Sequence, residues 1–222
     1  SGQMAASGVG VQREVTAQEK VNQEWDAMAG EWDDMAGAYA GGFYKMLQAA
    51  TELGDNLTVV DFGCGTGLLT EKLIPHCSKI LAIDAASQMI SVLKDKIKSR
   101  EWENVMAVTV ALADLKEGSD EQRILRDLEG TVDLVVASSV LTFIPESDMK
   151  ATMEAVGRLL KSGGVLCHSD WPKSEGHPDA MTEDKAESIY SMAGLSNESM
   201  KITNMDMGGQ AIEVFLGVAS KP

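Results

Sequence analysis

From Leu57 onward, short apolar runs rich in β-branched residues alternate with amphipathic stretches of helical length, and few architectures admit that rhythm. Leu57–Asp61, Lys79–Asp84, Val105–Val110, Val132–Ala137 and Val165–Ser169 read as strands. Between them Leu68–His76, Ser87–Arg100, Asp120–Leu128 and Ser147–Leu160 read as helices, the last stopped by Ser162-Gly163-Gly164. Strands joined through helices imply parallel neighbours linked by right-handed crossovers, with both faces of the sheet covered. The rhythm changes at the end of the chain. Glu183–Ala193 reads as a helix, and Met200–Asp206 and Ile212–Val218 flank Gly208-Gly209 as the arms of an antiparallel hairpin. The expected fold is α/β: an open, mostly parallel seven-stranded sheet with helices on both faces and a C-terminal antiparallel β-hairpin.

Three segments precede or make up that unit. Residues 1–12 carry Gly, Ser and Ala without an aromatic residue, which predicts a disordered tail. Residues 13–54 read as an N-terminal helical segment, and residues 55–222 form the α/β domain. The helical segment contains a tandem repeat, Glu24-Trp-Asp-Ala-Met-Ala-Gly30 followed by Glu31-Trp-Asp-Asp-Met-Ala-Gly37. The repeat places Trp25, Met28, Trp32, Met35 and Tyr39 on one helical face, continuous or broken near Gly30. That face either packs on the domain or forms a lid that also touches a ligand, since Gly hinges suit a segment that opens and closes.

Ligands of open α/β sheets bind beyond the carboxyl ends of the strands, so the informative residues should follow each strand. The first strand runs into Asp61-Phe-Gly63-Cys64-Gly65-Thr-Gly67, a turn whose glycines let a ligand approach the backbone ahead of a helix N-terminus. The dinucleotide fingerprint needs a small third position, and Leu68 stands there, which argues against a nicotinamide cofactor. Asp84 closes the second strand, where a carboxylate accepts hydrogen bonds from ribose hydroxyls, and Asp114 follows the third. Asp61 and Asp84 have the competing role of helix caps.

Taken together, VVDFGCGTG at 59–67, LAIDAASQMI at 81–90, ALADL at 111–115, DLVVASSVLTFI at 133–144 and LLKSGGVL at 159–166 resemble the class I S-adenosylmethionine-dependent methyltransferases, specifically their small-molecule, methyltransferase 11/25-like group. The resemblance spans residues 24–218 in the family's order. It implies a Rossmann-like sheet and an N-terminal helical lid, with S-adenosylmethionine as cofactor and S-adenosylhomocysteine as product. It places Asp61, Gly63, Cys64 and Gly65 around the methionyl part, Asp84 on the ribose, Ala85 and Met89 against the adenine, and Ala113, Asp114 and Leu115 at the adenine edge. Ser138 and Ser139 fall where the cofactor's amino group meets the substrate pocket. Trp32-Asp33-x-x-Ala36-x-x-Tyr39 resembles the family's segment that folds over the cofactor, which makes Trp32 and Tyr39 binding candidates.

Methyl transfer from a sulfonium is a direct displacement, so positioning and a water-poor pocket are the protein's main contributions. A base is needed only where the acceptor loses a proton, and the catalytic candidates are Tyr39, His168 and Asp170. Alternation along the fifth strand puts His168 and Asp170 on one side and Cys167, Ser169 and Trp171 on the other, so they cannot all face a site. A buried, satisfied histidine is the competing reading of His168. Lys and Arg number 19 against 34 Asp and Glu, and a net charge of −15 disfavours nucleic acid and anionic membrane as partners. Three cysteines without C-x-x-C spacing predict neither a metal site nor a disulfide framework and fit a cytoplasmic protein. The expected partner is a small-molecule methyl acceptor; the alternative is a catalytically silent cofactor-binding regulator.

Overall fold

The computed structural model describes residues 14–51 and 53–222; the predicted tail over 1–12 lies outside the described residues. Two helices, α1 (Ala17–Met28) and α2 (Trp32–Ala50), break at Gly30 as the repeat suggests. Thr16 starts α1 with a reciprocal capping box to Glu19. The domain follows as β1 (Leu57–Phe62), α3 (Leu68–Leu73), β2 (Cys77–Asp84), α4 (Ser87–Ser99), β3 (Val105–Thr109), α5 (Asp120–Arg126), β4 (Val132–Ser138), α6 (Glu146–Leu159), β5 (Leu160–Asp170), α7 (Glu183–Ala193), β6 (Ser196–Asp206) and β7 (Ala211–Ser220). The seven strands stand in the order β3-β2-β1-β4-β5-β7-β6. The first five are parallel, and β7 pairs antiparallel with both β5 and β6.

Continuous apolar runs make strands that bury both faces. One face packs on α2, α3 and α4 through Phe43, Leu47, Leu69, Leu73, Ile90 and Leu93. The other packs on α5, α6 and α7 through Leu125, Met153, Val156, Ile189 and Tyr190. Strand order reverses between β1 and β4, which opens a crevice above their carboxyl ends.

The main departures from the expected boundaries are in the last three strands. β5 begins at Leu160 rather than Val165, because Gly163 and Gly164 bulge within the strand instead of following the helix: Val132 pairs with Leu160 and Leu134 with Val165. β6 begins four residues before the expected Met200, since its Ser-Asn-Glu-Ser start is an exposed edge without apolar alternation.

Candidate functional site

At the crevice, β1 turns through Gly63, Cys64 and Gly65 into α3, and the amides of Gly63 and Cys64 donate to the Ile83 carbonyl of β2. Gly63 and Gly65 have φ of 70° and 53°, the left-handed region that side chains disfavour. A Cβ on Gly63 would come within 2.3 Å of Val140, and one on Gly65 within 3.2 Å of the Trp32 indole nitrogen. The turn therefore needs glycine for conformation and for clearance.

Two carboxylates flank it. Asp84 accepts from the Gly65 amide through Oδ2 and the Ala86 amide through Oδ1, both at 2.8 Å, so it braces the turn and the start of α4. Burial raises its pKa, with those amides opposing the shift. Asp61 is fully enclosed and accepts the Thr70 hydroxyl at 2.5 Å. Burial pushes its carboxyl up to about 7, against that hydrogen bond and with Asp84's charge adding to the rise.

A cavity of about 430 Å³ opens here. It is lined by Trp32, Tyr39, Asp61, Gly63, Cys64, Gly65, Asp84, Ala85, Met89, Ala113, Ser138 and Ser139, and so collects twelve of the sequence-predicted residues from the ends of β1, β2 and β4, the turn after β3, and helices α2 and α4. Four candidates stand elsewhere. Asp114 is exposed on the short turn after β3, outside the lining, and Leu115 packs into the core beyond it. Alternation does set His168 and Asp170 together, but the side they share is the core. His168 Nδ1 lies 2.7 Å from Asp170 Oδ2 and its Nε2 lies 2.7 Å from the Tyr190 hydroxyl; all three side chains are at most 1% exposed. Asp170 Oδ1 accepts from the Thr142 amide at 3.1 Å. The structure thus removes His168 and Asp170 from the cavity wall and makes them an internal strut between α7, β5 and the turn after β4.

On the opposite side of β5, Ser169 meets the Tyr39 hydroxyl at 3.1 Å, and burial, with Asp170's charge adding to it, pushes that phenol up to about 12. Burial likewise raises the Cys64 thiol well above its usual range, so it is not a ready nucleophile.

The tandem repeat supplies the roof. Trp25 and Trp32 pack edge to face with centroids 5.1 Å apart, and Phe143 meets Trp25 at 5.2 Å. The paired aspartates tie each helix down. Asp26 accepts the Gln88 amide at 2.7 Å at the uncapped start of α4, and Asp33 accepts the Thr66 hydroxyl at 2.6 Å and pairs with Lys96 at 2.5 Å. Burial acts to raise the Asp33 pKa, but the bonds from Lys96 and Thr66 outweigh it and hold the carboxyl below its ordinary value. Thr66, Thr70, Lys96 and Phe143 escape sequence reasoning: each is a common residue whose partner lies 9 to 118 positions away.

Residues 60–166 match a family model described as a methyltransferase domain. An uncharacterised methyltransferase of Schizosaccharomyces pombe is 29% identical over 135 residues, 57% of this chain and 45% of the relative. The malonyl-[acyl-carrier protein] O-methyltransferase of Acetivibrio thermocellus is 33% identical over 115 residues, 51% of this chain and 35% of the relative. The chain thus spans less than half the length of either curated relative. Among solved structures, magnesium protoporphyrin IX methyltransferase from Synechocystis PCC 6803 with bound S-adenosylmethionine superposes with a TM-score of 0.68 at 18% identity, covering 96% of this chain and all of that one, a likeness of fold. The residues present fit an adenosyl cofactor: a glycine cradle that any Cβ would fill, a carboxylate beside it, and a volume within the few hundred Å³ usual for such ligands.

Proposed function

From the premise that the chain carries a class I S-adenosylmethionine-dependent methyltransferase domain, with S-adenosylmethionine as its cofactor, we propose that it transfers the methyl group to a nitrogen, oxygen or sulfur atom of a small molecule by in-line displacement. The observation that carries this reading is a single cavity whose lining joins the Gly63–Gly65 turn and Asp84 to Tyr39, Phe143 and Trp171, so donor and acceptor share one enclosure. In this reading Asp84 offers its remaining lone pairs to the ribose hydroxyls, the backbone at Gly63–Gly65 receives the methionyl part, and Met89 packs on the adenine. Bound there, the cofactor supplies an already activated methyl group.

Helices α1 and α2 serve as a lid that excludes water, held by Asp26 and Asp33. None of the helices among the described residues is long and apolar enough to cross a membrane. The acidic charge favours a small acceptor over nucleic acid, and the unpaired thiols favour the cytoplasm. The test is a screen with methyl-labelled cofactor over small amines, thioethers, phenols and carboxylic acids. Label in an organic product is the expected result; tight S-adenosylhomocysteine binding without turnover on any acceptor would favour a silent regulator instead.

A further inference from the structure

The acceptor end of the cavity differs in chemistry from the cofactor end. Its wall includes Met35, Tyr39, Phe143, Trp171 and Met207, while Trp25 packs with Ala86 and Met89 at the cofactor end. Among the described residues, no lysine, arginine or histidine lines the cavity, and its two carboxylates, Asp61 near the end of β1 and Asp84 at the end of β2, bond to Thr70 of α3 and to the Gly65 amide of the turn. A phosphate or carboxylate on the acceptor would lose its hydration without finding a counter-charge.

Among the described residues, the lining outside Asp61 and Asp84 offers no proton taker either; His177, stacked on Trp171, is exposed and stands outside it. The Tyr39 hydroxyl is engaged with that of Ser169, while the His168 and Asp170 side chains turn from β5 into the core and are satisfied by Tyr190 and Thr142. An acceptor that must be deprotonated by the protein, such as an alcohol or phenol, is therefore poorly served.

What this wall suits is a lone pair that needs no deprotonation. Resting on the methyl-transfer reading, we infer that the acceptor is a dialkylaniline, heteroaromatic nitrogen or thioether, uncharged at neutral pH, on an apolar body. In the transfer, the bond from the cofactor's sulfur to its methyl group breaks and its electron pair returns to that sulfur. The acceptor's lone pair forms the new bond, and the positive charge passes to the acceptor as a quaternary nitrogen or sulfonium. No proton leaves. Aromatic side chains favour a nearby cation, so the Tyr39 and Trp171 rings, with centroids 6.1 Å apart in the cavity wall, stabilise the charge where it arrives. Phe143 is 40% and Met35 58% exposed, which leaves an apolar rim for the body of the acceptor.

The test first titrates the full chain with S-adenosylhomocysteine, then incubates it with methyl-labelled cofactor and one of five probes: quinoline, methyl phenyl sulfide, phenol, benzoate or phenyl phosphate. Label in N-methylquinolinium or dimethyl(phenyl)sulfonium, separated chromatographically from the unreacted cofactor, at least ~10-fold above label in any product of the other three, is expected. Met35→Lys, at an exposed site the fold tolerates, should lower that transfer by at least about tenfold by opposing the product's charge. Label mainly on phenol, benzoate or phenyl phosphate, or none on any probe despite tight S-adenosylhomocysteine binding, overturns the acceptor class and leaves the methyltransferase reading standing. Absence of S-adenosylhomocysteine binding removes the reading itself.

Discussion

Replacing Tyr190 with Phe takes one oxygen out of a fully enclosed chain of hydrogen bonds and leaves every carbon in place. The Tyr190 hydroxyl lies 2.7 Å from His168 Nε2, and both side chains are at most 1% exposed. His168 then keeps Asp170 on Nδ1 but has an unpaired nitrogen in the core, at a cost of about 1–3 kcal/mol. For a chain of this size each kcal/mol lowers Tm by roughly 2–4 °C, so a fall of about 2–12 °C is expected. Thermal unfolding with and without S-adenosylhomocysteine separates the possible roles. A structural strut predicts a lower Tm in both, with the same ligand-induced rise of roughly 5–11 °C at a hundredfold excess over Kd, from about 2.7 kcal/mol of linkage. An unchanged Tm with weakened ligand binding would refute the strut and return His168 to the chemistry.

If Asp84 accepts two charge-assisted hydrogen bonds from the ribose, at about 1.5–3 kcal/mol each, Asp84→Ala should weaken S-adenosylhomocysteine binding roughly 10²–10⁴-fold, measured by calorimetry; unchanged affinity would remove Asp84 from the ribose. Asp61 binds its proton more tightly folded than unfolded, so its contribution to stability is full below the unfolded value of 3.8 and declines as pH rises towards about 7. Denaturant unfolding of wild type and Asp61→Asn across pH 4 to 8 should therefore show the variant gaining relative stability as pH rises, and parallel curves would contradict the buried, uncompensated carboxyl. Trypsin cleavage after exposed Lys20 in α1 should slow when S-adenosylhomocysteine is added; equal rates would leave α1 and α2 as fixed packing.

The sheet was legible because its signal is local: β-branched runs at β1, β2 and β4 are buried on both faces and need no partner to be recognised. Gly163-Gly164 misled because glycine serves both to stop helices and to permit close strand approach. Here a Cβ on Gly164 would come within 2.8 Å of the Val132 carbonyl, so packing against β4 decides between the two. At the site, the turn, Asp84 and the face of Trp25, Trp32 and Tyr39 were readable from spacing. Period two put His168 and Asp170 on the same side but could not say which side held the cavity. That depends on α7 delivering Tyr190 from 22 residues away. Asp114 stands outside the lining for a similar reason, since a short turn at Leu112–Asp114 leaves Ala113 in the cavity wall and the carboxylate exposed.

The most direct test of the central claim is a calorimetric titration of the protein with S-adenosylhomocysteine beside one with NADH. The glycine turn, Asp84 and the Leu68 that breaks the dinucleotide pattern predict saturable binding of the first and none of the second. Binding of NADH, or no binding of S-adenosylhomocysteine, would contradict the assignment of the cavity.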